Sequence, residues 1–121
     1  MIHAEDNEQE ALFTWAQLQT AKVPELATLF AIPNGGKRNA REAARMKLQG
    51  VKAGVSDVCL PVKRNGFGSL WIEMKAPGKK KNLSKSQKSW LALMNTSGNR
   101  AVVCDTWGEA AAIILEYLRG R

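Results

Sequence analysis

Residues 69–76 read Ser-Leu-Trp-Ile-Glu-Met-Lys-Ala, and the fold of the whole chain is read from this octapeptide. Leu70, Ile72 and Met74 alternate with Trp71, Glu73 and Lys75, which is the two-residue period of a strand with two unlike faces. Glu73 and Lys75 therefore share a face, roughly 6–7 Å apart along the strand. A carboxylate and an ammonium on an otherwise apolar strand are costly unless they are paired or used. Alone, a Glu-x-Lys tripeptide is common, and an ordinary ion pair accounts for it.

The segment before it, GVKAGVSDVCLPV (residues 50–62), changes that reading. Two glycines shape a loop, and the chain enters a strand near Asp57. Asn65-Gly66 is a hairpin signal that returns the chain into the next strand. The hairpin sets Asp57 beside Glu73. Two carboxylates converging at one end of a sheet can share a hard divalent cation, and magnesium takes oxygen ligands of this kind. Phosphodiester hydrolysis uses such a cation to neutralise the scissile phosphate and to acidify water. A lysine beside it can orient that water or stabilise developing charge.

Further out, helical periodicity predicts a helix from about Asp6 to Thr20, with Asp6 as its N-cap and Ala11, Leu12, Trp15, Ala16 and Leu18 on its apolar side. LATLFAI (26–32) reads as a strand or a helix-to-strand passage, ended by the Pro33-Asn34-Gly35-Gly36 turn. A second helix is expected over 38–48. Ala40, Ala43, Ala44 and Leu48 form a narrow apolar stripe, with Arg38, Arg41 and Arg45 opposite and Gly50 as the C-terminal cap. Beyond the central strand, Ser84 or Ser86 caps a third helix running to about Thr96. Ala101 to Cys104 is a short strand expected to be buried on both faces. A last helix starts at Trp107 or Gly108 and ends near Leu118, and with Ala110, Ala111, Ala112, Ile113, Ile114, Leu115, Tyr117 and Leu118 it is more apolar than one buried face requires, which leaves area for a partner. Helix, strand, helix, strand, strand, helix, strand, helix is an α/β arrangement with a mixed sheet between helices. The 121 residues suit one domain, 1–121.

Net charge is +7, and its distribution says more than its total. Lys37, Arg38, Arg41, Arg45, Lys47 and Lys52 form one basic stretch. Lys75, Lys79, Lys80, Lys81, Lys85 and Lys88 form another with no acid among them. Two such stretches suggest a polyanionic partner, whereas Glu5, Asp6, Glu8 and Glu10 make the first ten residues acidic. No apolar run reaches membrane-spanning length, and the acidic start is unlike a signal peptide, so a cytoplasmic location is expected. Cys59 and Cys104 read as buried small hydrophobes in a reducing compartment. With a single histidine, His3, no zinc site is credible.

An acid, a gap and then Glu-x-Lys on the next strand resembles the PD-(D/E)xK nuclease superfamily. The chain is similar to one branch in particular, the VRR-NUC domains of small stand-alone phage-type proteins. The matching stretches are EDNEQEALFTWA, LFAIPNGGKRN, GVKAGVSDVCLP, LWIEMKAPG and SKSQKSW, in that order and over nearly the whole chain. The resemblance implies a restriction-endonuclease-like α/β core and a homodimeric, structure-selective endodeoxyribonuclease of the Holliday junction resolvase kind. It implies magnesium as cofactor, with manganese able to substitute. Asp57 and Glu73 take the metal-ligand positions, Lys75 the catalytic lysine and Gln87 the glutamine bordering the site. Ser56 stands where the superfamily pattern has proline. The first helix adds one more acid, Glu5 or Glu8, and Glu5 fits the family spacing best. DNA contacts are expected from Lys37, Arg38, Arg41, Arg45, Lys52, Lys79, Lys80, Lys81 and Lys85. The competing class is a non-catalytic nucleic-acid-binding accessory module in which Glu73 and Lys75 merely pair.

Overall fold

A computed structural model describes residues 4–33 and 39–121. Helix α1 (Ala4–Gln19) leads through a 3-10 turn (Pro24–Thr28) into a two-residue strand β1 (Phe30–Ala31). Then follow α2 (Ala40–Leu48), β2 (Val58–Leu60), β3 (Leu70–Met74), α3 (Lys85–Thr96), β4 (Arg100–Cys104) and α4 (Trp107–Arg119). The strands form one mixed sheet in the order β1-β2-β3-β4. The first two pairings are antiparallel and β3–β4 is parallel, as the α3 crossover requires. The chain thus has the restriction-endonuclease-like α/β arrangement expected of it.

The alternation in β3 sorts its two faces. Leu70, Ile72 and Met74 are fully buried, in a core shared with Leu12 and Ala16 of α1 and with Ala110, Ala111, Ile114 and Tyr117 of α4. Trp71, Glu73 and Lys75 face the other way, toward α3. The Trp71 ring meets Trp90 of α3 edge-on at 5.3 Å, and its indole N–H donates to Ser69 Oγ at 2.9 Å. The hairpin closes as its residues demand. Asn65 and Gly66 both take positive φ (53° and 85°), and Arg64 and Phe67 exchange backbone hydrogen bonds across the turn.

Several expectations need correction. Helix α1 begins at Ala4, so Asp6 lies in its first turn rather than at its N-cap, and Leu18, expected on its apolar side, is 75 % exposed because the helix buries only the face carrying Leu12 and Ala16. The 26–32 stretch divides into the 3-10 turn and β1, because Pro24 fixes a helical start and the turn ends in an extended Leu29. The alanine stripe of α2 finds no core. The helix has no buried residue, and Leu48 is 90 % exposed. It is held by its Asn39 cap, whose side chain accepts from Glu42 N at 2.8 Å, and by a C-terminal turn through Gly50 at φ +98°. Strand β4 is an edge strand, and between Ala101 and Cys104 its valines are only half-buried. Ile113 and Leu118 of α4 pack against the core, which leaves Trp107 and Ala112 as its exposed apolar residues. Both cysteines are buried and unpaired, and burial pushes their thiols up to about 11 for Cys59 and about 12 for Cys104. No described helix is long and apolar enough to cross a membrane.

Candidate active site

The hairpin register pairs Val58 with Ile72, so one step outward Asp57 stands across from Glu73. Asp57 is pinned twice. Its carbonyl accepts from Ile32 N at 2.8 Å, and its Oδ2 accepts from Met74 N at 2.8 Å. The side chain is thereby turned along the sheet end toward β3. Glu73 is 2 % exposed and Lys75 is 9 % exposed, an unusual depth for either residue type. From the first turn of α1, Glu5 completes the group. Carboxylate oxygens of Glu5, Asp57 and Glu73 lie within 4.8 Å of one another.

Such a cluster is electrostatically unfavourable in isolation. Burial pushes the Glu73 carboxyl well above the usual range. Its hydrogen bond with Asp57 and the charges of Asp57 and Glu5 push the same way, and Lys75 opposes them. Glu5 is raised as well, first by burial and then by Asp57. Without a cation, two adjoining carboxylates hold a proton between them. The donor set is all oxygen and anionic, which fits a hard divalent cation and not a thiophilic one.

Helix α3 supplies the lysine's partner. Ser84 caps the helix in a capping box, accepting from Gln87 N at 3.1 Å while its own N–H donates to Gln87 Oε1 at 2.9 Å. The same amide reaches the sheet. Lys75 Nζ donates to Gln87 Oε1 at 3.0 Å, and Gln87 Nε2 donates to Glu73 Oε2 at 3.2 Å. An ammonium can only donate and a carboxylate accepts, so these two neighbours define which end of the amide faces which. Lys75 Nζ stands 3.9 Å from Glu73 Oε2. A helix cap and a buried ion pair are thus tied together through one side chain.

The carboxylates open into a cleft of about 950 Å³, bordered by α1, the α2 side, the 51–57 loop and the start of α3. Glu8, the alternative acid of α1, is not in the cluster. Its Oε1 accepts from Trp107 N at 2.8 Å, satisfying the first turn of α4 and tying α1 to it. Among the expected DNA contacts, Lys52 borders the cleft, and Arg41, Arg45, Lys79, Lys81 and Lys85 are exposed. Lys80 is engaged in an ion pair with Glu109 of α4. Lys37 and Arg38, with the Asn34-Gly35-Gly36 part of the turn, lie outside the described residues. Ser56 is fully buried with an unpartnered hydroxyl, consistent with a position that asks for an apolar residue. Sequence reasoning missed the part Gly54 plays beside Gln87. Its signal was only a glycine three residues before the aspartate.

Residues 3–107 match the family model described as the VRR-NUC domain. A solved structure described as a VRR_NUC domain protein is 27 % identical to this chain and superposes with a TM-score of 0.83, covering 98 % of this chain and 91 % of that one. No curated protein matches the chain.

Proposed function

The chain belongs to the VRR-NUC domain family of nucleases, and on that footing we propose that it is a magnesium-dependent endodeoxyribonuclease acting as a homodimer on branched DNA. The observation that carries the reading is the convergence of Glu5, Asp57 and Glu73 beside the buried Lys75. These three carboxylates would hold the cation, with manganese an effective substitute. When bound, it supplies charge neutralisation at the scissile phosphate and acidifies water.

The remaining work falls to the chain's own groups. Met74 N–H fixes one Asp57 oxygen, and the side chain it holds borders the cleft. Gln87 holds Lys75 Nζ close to Glu73 without quenching it, because an amide oxygen accepts a hydrogen bond but carries no charge. An ammonium has three N–H donors, so beyond its bond to Gln87, Lys75 keeps donor capacity for a water or a phosphate oxygen. Arg41, Arg45 and Lys52 offer phosphate contacts on the approach, as do the lysines that follow β3. These groups read backbone charge and shape, which suits selection by DNA structure rather than base sequence. One site makes one nick, and paired nicks across a four-way junction call for a two-fold dimer. Exposed Trp107 and half-buried Leu115 on α4 offer apolar area for it. Such a protein would work in the cytoplasm, in the host cell if phage-encoded.

The test is a panel of labelled linear, flap, nicked and four-way DNA with magnesium, manganese or EDTA, alongside sedimentation at micromolar concentration. Metal-dependent paired incisions by a dimer, strongest on the four-way substrate, are expected. Absence of cutting with either metal sinks the nuclease reading. A monomer that nicks linear and four-way DNA equally removes the resolvase part alone.

A further inference from the structure

We infer that Gly54 is a positioning residue whose missing side chain seats the first turn of α3 against the loop before Asp57, setting Gln87 at the reach needed to hold Lys75 and Glu73. This rests on the hydrolytic reading of the site and extends it to a residue that touches none of the reacting groups.

Gly54 takes φ +85°. A methyl group built there would lie 2.8 Å from Gln87 N, and closer still to the carbonyl carbon and oxygen of Ser86. All three are backbone atoms of the α3 first turn, so no side chain can swing aside. The question is which partner yields. Asp57, three residues on, is held by Ile32 N and through Met74 N. Helix α3 has no fully buried residue, and its first turn meets the sheet through Gln87. The first turn of α3 is therefore the part that moves, the rest of the helix staying on the sheet through Trp90 and Asn95. Restoring an ordinary contact distance requires a displacement of roughly 1 Å, enough to break hydrogen bonds of 3.0 and 3.2 Å at Gln87.

Gly66 provides a matched control, since it also sits at φ +85° but has nothing within 4 Å of an added methyl. Gly66→Ala carries the backbone strain alone. Gly54→Ala carries strain plus the collision. The Gly54→Ala protein is expected to bind manganese about as tightly as wild type, because Glu5, Asp57 and Glu73 all remain and only the amide contact to Glu73 is lost. It should cut about 100-fold more slowly, the scale of a 1 Å misplacement, whereas Gly66→Ala keeps its rate. In a Gln87→Ala background, Gly54→Ala should cost nothing further. Full multiplicative loss in that background, or equal rates for the two glycine variants, overturns the proposal.

A readout independent of cutting is the Gln87 side-chain amide in a ¹⁵N correlation spectrum. Gly54→Ala should displace it, and Gly66→Ala should leave it in place. Failure of wild type to cut at all would condemn the nuclease reading, and this amide comparison would still decide the role of Gly54. If Gly54→Ala does not fold, the contact is tested in wild type by the nuclear Overhauser effect between the Gly54 α-protons and the Gln87 amide proton. Its absence refutes the inference.

Discussion

Replacing Glu73 with glutamine separates a metal ligand from a structural ion pair. Glu73 is buried beside Asp57, and its carboxyl is raised by burial and by that neighbour. A group whose folded pKa lies above its unfolded value contributes stability below about pH 4.5, and that stability is lost as pH rises through the folded pKa. In EDTA the wild type should therefore weaken as pH climbs from 5 toward 9, by at most about 1.4 kcal/mol per pH unit for one proton. Glutamine reproduces the protonated side chain. Its amide can donate toward Asp57, and its oxygen can accept from Gln87 Nε2, as Glu73 does at 3.2 Å. Glu73→Gln should thus be neutral or stabilising at pH 8 without metal, and its pH slope should flatten. Magnesium should reverse the ranking. Ligand at 100 times its Kd adds about 2.7 kcal/mol to wild type, or about 10 °C in Tm for a chain of this size. Glu73→Gln should gain almost nothing. Metal binding expels the shared proton, so the wild-type gain should be larger at pH 8 than at pH 6. The assay is thermal melting in EDTA and in magnesium at both pH values. A loss of about 3–5 kcal/mol by Glu73→Gln in EDTA, the cost of breaking a buried pair, with no metal-dependent gain in wild type, would refute the reasoning.

Lys75→Ala should lower the cutting rate by about 10²–10³, as loss of a single transition-state donor does, while metal affinity measured by calorimetry holds. Wild-type cutting by this variant would take the lysine out of the mechanism. The two acids of α1 should separate cleanly: Glu8→Ala loses about 1 kcal/mol in a denaturant melt because α4 loses an acceptor for Trp107 N, yet keeps its magnesium response, whereas Glu5→Ala keeps its stability and loses that response. Replacing Arg41, Arg45 and Lys52 together should reduce the slope of log K against log salt by about 0.9 for every phosphate they had neutralised. Lys80→Ala should change the slope less, since that side chain is committed to Glu109.

Much of this protein is legible in local sequence, and the reason is periodicity. Alternation in SLWIEMKA determines which side chains of β3 share a face, because a strand's geometry leaves no other assignment. Asn65-Gly66 determines the hairpin, because both residues tolerate positive φ, and the hairpin in turn brings Asp57 across from Glu73. A serine cap for α3 is legible at 84 or 86, and the structure places it at Ser84 in a capping box with Gln87. Each of these depends on neighbours a few residues away.

Tertiary structure alone decided the rest. Glu5 and Glu8 are three residues apart on one helix, and helical spacing cannot separate them. The packing of α1 on α4 and β3 does, sending one carboxylate to the cluster and the other to Trp107 N. The alanine stripe of α2 has a buried helix's pattern but is covered by nothing among the described residues, and a pattern carries no information about whether a partner is there. Gly54 meets Ser86 and Gln87 across more than thirty residues of chain, an approach set by how closely two elements dock. Glycine in the sequence records only that some constraint exists. Whether that constraint is a turn, a cap or another backbone pressed against it is settled by the approach of segments that share no local pattern.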